Sequence, residues 1–199
     1  MLEAVYLTRS KIRRHLLGIV FSNPSRQYYL SELARSAGTS AGNVQRELSR
    51  FVRDRLITRE KKGNLVFFVI NTRHALYPEI RSLILKTIGI EGVLRNLLQK
   101  FKQIRLALIY GSFARGEEKG ESDIDLMIVA DGTLEKFYAA LSKLESRFNR
   151  EINTTAYSAA ELKDKIRSKD TFVNEVLHRP KIILKGELNE FQKQTSRKS

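Results

Sequence analysis

Two clusters on one short stretch of the chain could do chemistry. Gly111-Ser112 follows directly on the apolar run Ile104 to Tyr110, and ten residues later Asp123-Ile124-Asp125 opens a second apolar run that continues to Val129. In a strand, alternate side chains share a face, so Asp123 and Asp125 point to one side and Ile124 and Leu126 to the other. Carboxylates held that way repel unless a cation or water lies between them. Oxygen ligands at this spacing suit Mg²⁺, which takes few protein carboxylates and keeps places for water and phosphate oxygens. Glycine at the strand end lets backbone approach a phosphate closely, and Ser112 at a helix start adds a hydroxyl and exposed N–H groups. One loop can therefore hold a triphosphate while the next strand holds the metal that bridges it. A Gly-Ser turn alone, or an Asp-x-Asp pair alone, means little; joined as strand, Gly-Ser, ten residues, Asp-Ile-Asp, strand, they are specific. The stretch is not a Walker loop, which needs Gly-Lys-Ser/Thr before a helix, because Gly120 is followed by Glu121.

Gly111, Ser112, Arg115, Gly116, Ser122, Asp123, Ile124, Asp125 and Leu126 closely resemble the nucleotidyltransferase fold of the DNA polymerase β superfamily, and within it the minimal nucleotidyltransferases of prokaryotes. The resemblance covers roughly residues 90–185. It implies metal-dependent transfer of a nucleoside monophosphate from a nucleoside triphosphate, with ATP the expected donor and pyrophosphate released. Asp123 and Asp125 would be the catalytic acids and Mg²⁺ ligands. Gly111, Ser112 and Arg115 would bind the nucleotide. Active members carry a third carboxylate on a later strand, and the segment Arg150 to Tyr157 puts Asn153 at that position. Asparagine can coordinate through its carbonyl but cannot act as a base or balance metal charge. Glu151, two residues earlier, is expected on the same strand face, either as a substitute acid or as an ordinary surface residue. The resemblance also implies a toxin–antitoxin setting with a helical partner protein.

The elements around this stretch divide by charge. The chain has 199 residues and a net charge of +14; residues 1–74 hold 14 basic and 5 acidic residues. A segregated positive field suggests a polyanion partner. Ile12, Leu16, Leu17, Ile19 and Val20 recur at helical spacing until Asn23-Pro24. Ser31 is expected to cap a short helix that Gly38 ends, and Ser40 to cap the next, which carries Val44, Leu48, Phe51 and Val52 inward. The alternation then changes: Ile57 to Glu60, a Lys61-Lys62-Gly63-Asn64 turn, and Leu65 to Asn71 read as a β-hairpin. Over roughly residues 9–73 this order resembles the winged helix-turn-helix regulators of prokaryotes. The resemblance implies double-stranded DNA as partner, with the second helix of the pair in the major groove. Opposite its core stripe lie Asn43, Gln45, Arg46, Ser49 and Arg50, side chains suited to base edges and phosphates. Lys61 and Lys62, at the hairpin tip, are placed to meet phosphates. A homodimer is the family-level expectation.

Between the two lies helix-rich sequence: Leu76, Ile80, Leu83, Ile84 and Ile88 form one stripe, Val93, Leu94, Leu97, Leu98 and Phe101 another, with Gly89 and Gly92 interrupting. The expected architecture is α+β: a winged helix-turn-helix domain over residues 1–89, then a nucleotidyltransferase-like mixed sheet with flanking helices over 90–199. The absence of cysteine excludes a disulfide scaffold, a thiolate zinc site and a cysteine nucleophile. No apolar run approaches the ~18 residues of a spanning helix, which points to a cytoplasmic protein with no membrane partner. His15, His74 and His178 show no ligand spacing, and the last residues from Gln192 are read as a frayed polar tail. Two functions stay open. One is a DNA-binding regulator whose second domain binds Mg²⁺ and nucleotide with weak chemistry. The other is an active Mg²⁺-dependent nucleotidyltransferase acting on a protein or other acceptor.

Overall fold

The computed structural model describes residues 9–117 and 122–192. The Gly120-Glu121 pair and the tail from 193 lie outside the described residues. The chain forms two compact units, Met1–Val93 and Leu94–Ser199.

In the first unit, α1 (Lys11–Ser22) is capped by Ser10, whose hydroxyl accepts from the Arg13 amide, and buries Leu16, Leu17, Ile19, Val20 and Phe21. A two-residue strand, β1 (Tyr28–Tyr29), leads directly into α2 (Leu30–Ser36). Ser31 therefore lies inside the helix and caps nothing; Tyr29 holds the cap position without a side-chain bond. Gly38 adopts φ +58° and turns the chain. Ser40 caps α3 (Ala41–Arg53) by accepting from the Asn43 amide. Val44, Leu48 and Phe51 are buried, as their spacing requires, and so is Glu47. β2 (Ile57–Lys62) and β3 (Leu65–Ile70) form the hairpin, with Lys62 opposite Leu65. Hence only Gly63-Asn64 make the turn, the two-residue connection that glycine at φ +60° allows, and Lys61 and Lys62 stand on the strand rather than in the turn. β1 adds a third strand, pairing Tyr28 with Phe68 and Tyr29 with Phe67.

The next helices correct the expected stripe. α4 (Tyr77–Thr87) buries Ile84 and Leu85 while Leu76 and Leu83 stay exposed. Gly89 marks the break before α5 (Ile90–Leu98); Gly92 lies within α5. A Cβ at Gly92 would stand 2.3 Å from the Thr87 carbonyl oxygen, so this glycine permits a close backbone approach rather than a break.

The second unit is built on a four-stranded sheet of β4 (Ile104–Tyr110), β5 (Ile124–Ala130), β6 (Ile152–Tyr157) and β7 (Ile182–Lys185), in the order β6-β5-β4-β7. β4 runs antiparallel to β5 and β7, and β5 runs parallel to β6 through the crossover helix α7 (Glu135–Phe148). A short helix, α6 (Gly111–Arg115), leaves the end of β4. Two more helices, α8 (Ala159–Arg167) and α9 (Thr171–His178), precede β7, and α10 (Asn189–Gln192) follows it. Leu106 and Leu108 of β4 and Met127 and Val129 of β5 pack with Leu162 of α8 and Val173 and Val176 of α9. Residues of the other parity, Ala107, Ile109, Ile124, Leu126 and Ile128, are fully buried too, so both faces of the sheet are covered. Among the described residues no helix is long and apolar enough to cross a membrane.

Candidate active site

The site forms where the helix-covered face runs out at one end of the sheet. The strand registers align Tyr110, Asp125 and Asn153 in one row across β4, β5 and β6. Asp123 sits just before β5, on the same side as Asp125 by strand alternation. Asn153 donates from Nδ2 to Asp123 Oδ2 at 3.1 Å. The amide thus lies beside the acid pair, and its bond goes to the carboxylate outside the strand.

Gly111, the first residue of α6, has φ +73°, and a Cβ there would come within 2.2 Å of Asp125 Oδ2. No side chain fits between this turn and the acid pair. Ser112 is the second residue of α6 and half-buried. Arg115 ends the helix and pairs with Glu117 at 2.6 Å. Burial raises the Asp125 pKa, the nearby Asp123 raises it further, and Arg115 partly offsets both. A raised carboxyl beside a second carboxylate is an electrostatic arrangement that a cation would relieve. Among the described residues no group of three or more His, Cys, Asp or Glu side chains converges on a metal-sized site. Asp123, Asp125 and the Asn153 side-chain oxygen are the groups that would be available to a cation here. Such oxygen donors would suit Mg²⁺, which takes few protein ligands.

Two hollows flank these residues. An open polar one of about 560 Å³ is lined by Asp123, Glu145, Asn149, Arg150 and Glu151. A smaller one of about 170 Å³ lies beside Gly111 and Arg115, against Tyr110, Phe172 and Val176. Tyr110 meets Phe172 edge-on at 5.6 Å and shares a 3.4 Å hydrogen bond with the Thr155 hydroxyl. Glu151 precedes β6 rather than lying on its face. It is exposed, and its carbonyl accepts from the Ile124 amide.

Sequence reasoning missed Arg150. The residue is 4% exposed. Nε donates to the Ser122 carbonyl at 2.8 Å, Nη2 donates to the Ser122 hydroxyl at 3.1 Å, and the guanidinium lies over the Phe113 ring at 4.9 Å. Nothing in its sequence neighbourhood marks it, because an arginine after a helix ordinarily reads as surface.

In the first unit, Gln45, Arg46, Ser49 and Arg50 are exposed on α3, and Asn43 is half-buried. Asn43 bonds the Thr39 hydroxyl and Gln45 the Ser49 hydroxyl. Glu47 accepts from Arg13 at 2.8 Å and from Arg50 at 3.2 Å. Lys61 is exposed; Lys62 donates to Gln27 at 3.0 Å and sits over Phe67.

Residues 93–183 match the family model "Polymerase beta, Nucleotidyltransferase". This chain carries a nucleotidyltransferase-fold domain. No curated protein matches it. A solved toxin-antitoxin structure with AMP-PNP is similar at 18% identity and a TM-score of 0.37, over 52% of this chain and 79% of that one. The structure of tri-AMPylated Shewanella oneidensis HEPN toxin in complex with MNT antitoxin is similar at 16% identity and 0.32, over 52% and 75%. Lactococcus lactis ZitR in complex with DNA is similar at 11% identity and 0.34, over 69% and 75%.

Proposed function

We propose that the chain is a cytoplasmic DNA-binding protein, a winged helix followed from about residue 90 by a nucleotidyltransferase-fold domain that binds ATP with Mg²⁺ and has weak transfer chemistry. The observation that carries this reading is the Asn153 amide on Asp123. Asp123 and Asp125 would hold the Mg²⁺, which would supply positive charge to offset the phosphates. Gly111 lets the backbone close on the triphosphate, with Ser112 and Arg115 beside it. Asn153 keeps Asp123 oriented but cannot take a proton from an attacking hydroxyl. The DNA reading is supported by the exposed Gln45, Arg46, Ser49 and Arg50 on one helix and by Lys61 on the adjoining strand. Exposed Leu76 and Leu83 favour a homodimer, since a second copy would bury them.

The intact acid pair and glycine turn favour the second reading, an active transferase whose acceptor is a helical partner protein. One experiment separates the two: incubation of the full chain with Mg²⁺ and α-labelled ATP, with and without the product of an adjacent gene. Tight ATP binding without label transfer is the expected result. Transfer that disappears in Asp123→Ala and Asp125→Ala establishes the enzyme instead.

A further inference from the structure

The cradle and the acid pair belong to different segments, and something must hold them in register. Ser122 directly precedes Asp123. Phe113 sits in the middle of α6, two residues after Gly111. Arg150 opens the path into β6, three residues before Asn153. One guanidinium reaches all three places: its edge donates to the Ser122 carbonyl and hydroxyl, its face covers the Phe113 ring, and its own backbone leads to Asn153.

We infer that Arg150 is a positioning residue that fixes the distance between the Gly111 turn and the Asp123–Asp125 pair. The inference rests on the proposed nucleotide site. The physical case is geometric. A guanidinium is planar, with donors on its edge and a flat face that stacks on a ring, so it can bond one segment and stack on another at once. The single nitrogen of an ammonium can bond and sit over a ring, as Lys62 does, but it cannot place two separate nitrogens on Ser122 while a flat face covers Phe113. The group is also buried, so each of its bonds is made in low dielectric, where a missing partner is not replaced by water. Asp123 is exposed and lies just before the strand, so the β-ladder does not hold it; the Asn153 amide steadies its carboxylate and the Ser122 bonds steady its backbone. A small shift at Ser122 moves the Asp123 carboxylate directly, and the same shift changes its separation from Gly111.

The test is ATP binding by the full chain, measured calorimetrically over a range of Mg²⁺ concentrations, with the thermal midpoint measured in parallel. Arg150→Lys is expected to raise the Mg²⁺ requirement by about tenfold, in line with the loss of an outer-shell support. Ser122→Ala, which removes the hydroxyl bond and leaves the carbonyl bond in place, is expected to raise it by a smaller factor. The double variant is expected to lose no more than Arg150→Lys alone, since both act through one interaction. An unchanged Mg²⁺ requirement in Arg150→Lys, or strictly additive losses, overturns the inference. Should the lysine variant fail to fold, Ser122→Ala decides: an unaltered requirement overturns the inference there too. A wild-type chain that binds no ATP at any Mg²⁺ concentration overturns the nucleotide reading and this inference with it. Wild-type binding that all variants retain overturns the inference alone.

Discussion

The two units handle charge in opposite ways. On α3 the cations are spread along a solvated face, and Arg50 is tied to the buried Glu47 that also holds Arg13. At the sheet end of the second unit, charge is concentrated: Asp123 and Asp125 on one face, a glycine turn pressed against one of them, an amide bonded to the other. A dispersed cation face suits a polyanion, where each phosphate interaction adds independently and no single side chain is indispensable. A concentrated acid pair suits one small cation, where each atom matters. The first surface should lose affinity gradually under mutation, the second abruptly.

The abrupt side gives the largest expected effect. Asp125→Ala removes an acid from the pair, and Gly111→Ala drives a methyl into that carboxylate. Either should weaken Mg²⁺-dependent ATP binding by about a hundredfold or more, beyond what an outer-shell change does. Calorimetric titration measures it. Duplex binding by the same variants should be unchanged; if it falls in step, the two surfaces are not separable and the contrast fails.

The gradual side comes next. Arg46→Ala with Arg50→Ala should reduce duplex affinity by about tenfold at moderate salt and lower the slope of log K against log salt by about 2, one for each phosphate no longer neutralised. Fluorescence anisotropy across salt concentrations reads both. A wild-type affinity indifferent to salt would leave the front unit without a phosphate-dominated partner. Because Glu47 keeps its bond to Arg13, the variant should stay folded.

Asn153→Asp sharpens the acid side from the other direction. A third carboxylate beside Asp123 adds repulsion in the absence of a cation and attraction in its presence. The expected result is a severalfold tighter Mg²⁺ requirement for ATP binding, with a lower thermal midpoint in EDTA. Gain of label transfer in this variant would show that the missing acid is what limits the chemistry.

How far the sequence reveals these sites depends on whether a feature is local. Gly111, Asp123 and Asp125 carry their geometry in strand alternation and in a glycine that no other residue could replace. Asn153 is placed by the resemblance, and the structure puts it in the row with Asp125. Ser31 reads as a cap, but β1 takes Tyr28 and Tyr29 into a sheet with residues about forty positions away, and the helix starts directly from that strand. Lys61 and Lys62 read as turn residues because charge is common in turns, yet pairing with β3 extends to Lys62. Leu76 and Leu83 read as core because apolar spacing cannot say which apolar residues stay exposed. Arg150 and Glu47 are invisible in the sequence for one reason: a charged residue is buried only when distant partners meet it, and those partners are 28 and 34 residues away.

The smallest expected effect tests the scaffold beside the acid pair. Asp170 caps α9 by accepting from the Val173 amide and also accepts from Lys165 Nζ at 2.7 Å. The Lys165 bond first, and the cap second, hold its carboxyl below the ordinary value of 3.8. The same bond holds the Lys165 ammonium above its ordinary 10.5. For a carboxyl depressed in the folded state, the stabilisation is fully present above 3.8 and disappears as pH falls through the lower folded value. For a raised ammonium it is present below 10.5 and lost as pH climbs through the higher folded value. The pair should therefore contribute a flat plateau through neutral pH with a decline at each extreme. Both side chains stay partly open to solvent, so the contribution is small and salt should shrink it further. Asp170→Asn retains an oxygen acceptor for the cap and removes the charge, so it should flatten the acid decline while leaving the helix capped; Asp170→Ala should lose the cap as well and lower the midpoint at every pH. Thermal midpoints of the three chains between about pH 3 and 7, in low and high salt, separate the two contributions. If Asp170→Asn and Asp170→Ala behave alike, the cap contributes nothing. If wild type and Asp170→Asn share one acid decline, the ion pair contributes nothing, and the acid sensitivity of this unit lies with other depressed carboxyls such as Glu161, held low by its bonds to Ser158, because the raised Asp125 carboxyl gains stability as pH falls.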